Sequence, residues 1–115
     1  MADPLDTTPL DEQHLNQIEA KLEGIPTTDW TPLGGDQARE RTLNVVNEAI
    51  EMARQWSQEC DRQPDVDFVN RKIRDVADQK FGVGGATSSQ VTRDAQNLFV
   101  EAARDVTGVT GSLGR

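Results

Sequence analysis

The sequence predicts an all-α fold of about four helices, built around a long central helix (about 36–62) that is packed on two sides. Four segments repeat apolar residues at three-four spacing, the signature of a helix with one buried face. Proline and glycine clusters separate those segments, and no segment shows the alternation of a strand.

The first helix starts after a polar lead, residues 1–8. Thr8 is read as its N-cap, Pro9 as its first helical residue, and Asp11 and Glu12 sit near the positive helix end. Leu15, Ile18 and Leu22 share a face, and Gly24 stops the helix. Residues 25–35 hold Pro26, Pro32 and the Gly34-Gly35 pair, which predicts a connector.

Asp36 caps the second helix, which at 1.5 Å per residue spans about 40 Å. Its apolar residues form two adjacent stripes: Leu43, Val46, Ile50, Ala53 and Cys60, then Val45, Ala49, Met52 and Trp56. So wide an arc calls for neighbours on two sides, either other helices or a second copy of this one. Asn44, Asn47, Glu48, Glu51, Arg54, Gln55, Gln58 and Glu59 are assigned to the wet face.

Pro64-Asp65 interrupts the pattern. A third helix follows, with Val66, Val69, Ile73, Val76 and Ala77 inward and Arg71, Lys72 and Arg74 outward, ending at Gly82. Thr87 and Gln90 read as a capping box for a fourth helix that buries Val91, Ala95, Leu98, Ala102 and Val106. The helical domain thus covers residues 9–107. Residues 108–115 are expected to be a flexible glycine-rich tail.

Leu, Ile, Val and Phe supply 25 of the 115 residues, enough for one core with little apolar surplus. The net charge of −8 disfavours long-range attraction to bare nucleic acid or an anionic membrane. That charge is uneven: residues 1–64 carry thirteen acids and five bases, whereas residues 65–115 carry seven of each. An anionic partner would therefore approach the second half.

One cysteine and one histidine cannot build a four-ligand Cys/His zinc site, so no metal or cofactor is expected. Cys60 reads as a buried, inert thiol and His14 as a structural or exposed histidine, because neither has a recognisable catalytic neighbour. Asp65-Val66-Asp67 lacks the oxygen-rich loop and distal Glu of an EF-hand. Residues 82–89 lack the Lys-Ser/Thr ending of a Walker loop. No catalytic set emerges. Without a secretory h-region or a run of roughly 20 apolar residues, the expected location is cytoplasmic, with no membrane partner.

The strongest local pattern lies in residues 68–103. Ile73-Arg74-Asp75-Val76-Ala77-Asp78-Gln79-Lys80-Phe81-Gly82-Val83, followed by Ser88-Ser89-Gln90-Val91-Thr92-Arg93-Asp94, resembles the helix-turn-helix of bacterial DNA-binding regulators, whose polar second helix enters the major groove. Asp78 stands where that pattern places a small residue, with Ala77 one step earlier. The resemblance implies Ser88, Ser89, Gln90, Thr92 and Arg93 as base or phosphate contacts, with Arg71, Lys72, Arg74 and Lys80 beside them. The leading expectation is a non-catalytic module acting through protein contacts, including self-association. A small DNA-binding regulator is the alternative. A basic stripe formed by Arg71, Lys72, Arg74, Lys80 and Arg93 would favour the regulator, and dispersal of those cations among Asp75, Asp78 and Asp94 would favour the module.

Overall fold

The computed structural model describes Leu5, residues 7–24 and residues 36–108. It contains α1 (Glu12–Glu23), α2 (Asp36–Cys60), α3 (Val66–Phe81) and α4 (Ala86–Thr107), and the described residues form no strand beyond a single bridge between Pro9 and Asp65. The proline-containing connector, the tail after Gly108 and most of the polar lead lie outside the described residues.

α1 begins three residues later than Thr8 and Pro9 suggested. Asp11 is the N-cap: its carboxylate accepts from the His14 backbone N–H at 2.8 Å, while His14 Nδ1 accepts from the Asp11 N–H at 3.4 Å. Pro9 pairs instead with Asp65, and the Leu10 N–H donates to the Pro64 carbonyl at 2.8 Å. This path over the α2–α3 turn buries Leu5 and Leu10 in the core. His14 is therefore a capping residue.

α2 buries Leu43, Val45, Val46, Ala49, Ile50 and Ala53, as the two stripes require. Past Ala53 the helix leaves the core. Met52 is 37% exposed, Trp56 is half-buried, and Cys60, expected inside, is exposed. An apolar stripe is buried only as far as neighbours cover it, and the last turn of α2 runs beyond them. The helix also stops two residues earlier than expected, with Asp61 in the left-handed region (φ 53°) and the Arg62 N–H donating back to the Ser57 carbonyl.

α3 follows the sequence reading closely. Asp65 caps it by accepting from the Phe68 N–H at 2.8 Å, and Val66, Val69, Ile73, Val76 and Ala77 are buried. Gly82, at φ 96°, ends it in a conformation that disfavours any residue with a Cβ.

α4 differs at its start. Gly85 is the N-cap, and no side chain caps the helix, so the Thr87–Gln90 box does not form. The Gln90 amide instead donates to the Asp94 carboxylate one turn on. Phe99 and Ala103 are buried along with Val91, Ala95 and Ala102, while Leu98 and Val106 are only partly covered. The inward face is thus rotated toward Phe99, because α4 packs against all three other helices and not against one.

α2 and α4 form the central pair, each touching all the others, with α1 and α3 on opposite sides and barely in contact. α1 lies antiparallel to α2: Arg54 reaches Glu12 near one end, and Arg39 reaches Glu23 near the other. α2 and α3 are antiparallel too, through Trp56 with Phe68 and Glu48 with Lys80. Arg54, assigned to the wet face, instead lies mostly covered under α1.

Candidate interaction surface

The segment that resembles a helix-turn-helix is α3, the turn at residues 82–85, and α4. Two bonds define how its helices sit. Ser88 Oγ donates to Asp78 at 2.6 Å close to the turn, and Gln96 Nε2 donates to the Asn70 carbonyl at 2.9 Å far from it. Asn70 and Gln96 each stand about 15 Å along their helix from the turn, so a right-angle crossing would hold them about 20 Å apart. Contact at both points makes α3 and α4 an antiparallel hairpin.

That arrangement engages several residues proposed as nucleic-acid contacts. Ser88 is buried and bonded to Asp78, the residue standing where the pattern has a small one. Gln90 is held by Asp94. Thr92 Oγ1 is buried with no partner among the described residues. Among the cations, Arg71 pairs with Asp67 at 3.2 Å, Lys72 with Asp75 at 3.9 Å, and Lys80 with Glu48 of α2 at 3.0 Å. Arg74 and Arg93 are exposed and enter no ion pair among the described residues. With Ser89 and Thr92 they border a shallow depression between α3 and α4, which Asp78 also lines.

A second feature lies where α2 leaves the core. The Trp56 and Phe68 rings meet at 4.6 Å between centroids, tilted by 34°, and both residues are half-buried. The Lys72 ammonium stands 5.2 Å from the Phe68 ring centre, within cation–π range. These three side chains, with Arg71, Arg74 and Asp75, line a groove of about 410 Å³. Arg71, Lys72 and Arg74 were singled out for their charge, and the aromatic floor beside them was missed. The signal was present in the chain. Trp56 and Phe68 stand six residues either side of Arg62, so a hairpin turning there sets them face to face.

Among the described residues there is no group of three or more His, Cys, Asp and Glu placed to hold a metal ion. No described helix is long and apolar enough to cross a membrane. Comparison of the chain with protein-family models, curated proteins and solved structures finds no match.

Proposed function

We propose that this chain is a non-catalytic helical module that works through protein contacts, as a component of an assembly or by self-association. The observation that carries the reading is the pairing of three of the four cations of α3: Arg71, Lys72 and Lys80 each face a carboxylate of the same chain. Sequence-independent DNA affinity comes from lysines and arginines that neutralise phosphates and release the DNA's counterions, and paired cations contribute less of it. The side-by-side α3–α4 hairpin points the same way, since a reading helix needs to stand clear of its partner to enter the major groove. An exposed, unpaired thiol at Cys60 suits a reducing compartment such as the cytoplasm.

The alternative, a small DNA-binding regulator, draws its support from Arg74 and Arg93, which flank one depression together with the hydroxyl-bearing Ser89 and Thr92. Selection from a randomised duplex pool at low salt, with winners retested at physiological salt, separates the two readings. An empty selection by the folded protein is the expected result. A consensus that survives the salt increase would overturn the protein-contact reading.

A further inference from the structure

We infer that the groove between the end of α2 and the outer face of α3 is a docking site for an acidic peptide segment bearing one large apolar side chain. The inference rests on the protein-contact reading and names the partner's chemistry. The floor is apolar: the Trp56 and Phe68 rings pack on each other and remain partly exposed. A partly exposed Trp beside Arg is the composition of interface hot spots, where a partner side chain completes the burial. At about 410 Å³ the groove falls at the small end of ligand-sized cavities, roughly 300–1,000 Å³, which suits a single anchoring residue.

The rim sets the sign of the partner. Arg71, Lys72 and Arg74 surround the floor in a chain whose net charge is −8. An acidic segment is repelled by the acidic α1 and α2 surfaces and attracted here, which selects both the place and the orientation of docking. Two of these three cations are already engaged within α3. Asp67 and Asp75 hold Arg71 and Lys72 through exposed pairs within one helix, and such pairs contribute only a few tenths of a kcal/mol. Arg74 has no ion pair to give up among the described residues. Arg74 is therefore the cation open to a partner carboxylate, while its apolar neighbour covers the Trp56 and Phe68 rings.

The test uses the full chain and three pools of fluorescein-labelled 12-residue peptides with a central Trp, Phe or Leu. Four flanking positions are Asp/Glu in the first pool, Ser in the second and Lys in the third. Fluorescence anisotropy at physiological salt should show the acidic pool binding at least tenfold tighter than the Ser pool, and the Lys pool not at all. Arg74→Glu, a change at an exposed position, should abolish that preference with the melting curve unchanged, while Arg93→Glu on α4 should preserve it. Trp56→Ala should weaken every pool that binds. Equal binding of all pools, or none by the folded protein, overturns the inference. Light scattering then shows which level has failed: a dimer broken by Trp56→Ala means that a second copy covers the groove, which leaves the protein-contact reading standing. Recovery of a salt-resistant duplex consensus removes that reading itself.

Discussion

Arg54 of α2 is hydrogen-bonded and ion-paired to Glu19 of α1, and the same guanidinium reaches Glu12 and Asn16, so one side chain grips more than half the length of the first helix. The Arg54 side chain is 16% exposed and that of Glu19 28%, which sets this pair apart from the solvent-screened pairs of α3. The Glu19 hydrogen bond is the main influence holding the Arg54 pKa above its ordinary value, against the opposing pull of burial. A pKa raised on folding contributes stability below the unfolded-state value and loses it only as pH rises through the folded one. For an arginine that window lies in strongly alkaline solution, so the clamp holds undiminished, on the Arg54 side, across the neutral range.

Arg54→Ala should therefore lower stability by about 1 to 3 kcal/mol, the range for hydrogen bonds to charged groups. The loss should appear in urea unfolding and, more specifically, as faster amide exchange in α1. Arg54→Lys keeps the charge without the planar fork and should fall between wild type and Ala. Unchanged α1 protection in Arg54→Ala would mean that burial of Leu15, Ile18 and Leu22 docks the helix unaided.

The helix starts make a paired prediction. Asp65 caps α3 with a side-chain bond, whereas Thr87, exposed in the first turn of α4, caps nothing. Asp65→Ala should cost about 1 kcal/mol and Thr87→Ala less than about 0.5. Thermal melts of the two variants check it. Equal losses would restore the capping box expected of Thr87 and Gln90.

These differences mark what was legible in the residues. α3 could be read almost completely, because Asp65 and Gly82 bound a helix with a single buried face, and a single face is what three-four spacing reports. α4 touches three helices, so the choice between Leu98 and Phe99 depended on where the neighbours lie, and local spacing carries no such information. The same holds for Arg54, whose partner Glu12 is 42 residues away in the chain. Of the candidate site, the cations were visible as sequence, but their partners were visible only in part: Asp67 and Asp75 lie within one turn, whereas Glu48 comes from another helix. Ser88 looked like a free contact residue because Asp78 meets it only once the chain has turned back.

Cys60 offers a direct check on where the core ends. As an exposed thiol on the last turn of α2, it should react with a maleimide reagent in the native protein as fully as in the unfolded one. Cys60→Ser should change stability by less than about 0.5 kcal/mol, as expected of surface positions. A thiol protected until the protein unfolds would return Cys60 to the buried stripe and extend the core past Ala53.

Ser88 gives the prediction that bears most directly on the junction of α3 and α4. Its buried hydroxyl donates to Asp78 at 2.6 Å, tying the start of α4 to the last turn and a half of α3. Ser88→Ala removes the donor and leaves a part-buried carboxylate short of a partner, a change that should cost about 1 to 3 kcal/mol. Asp78→Ala in the Ser88→Ala background removes the stranded carboxylate as well, so the double variant should lose less than the two single losses added together. Had Ser88 been a contact to nucleic acid, its hydroxyl would be free in the isolated protein, Ser88→Ala would leave stability unchanged, and the two substitutions would be independent. Urea unfolding of the two single variants and the double variant decides between these outcomes, since only direct contact between Ser88 and Asp78 makes their effects non-additive.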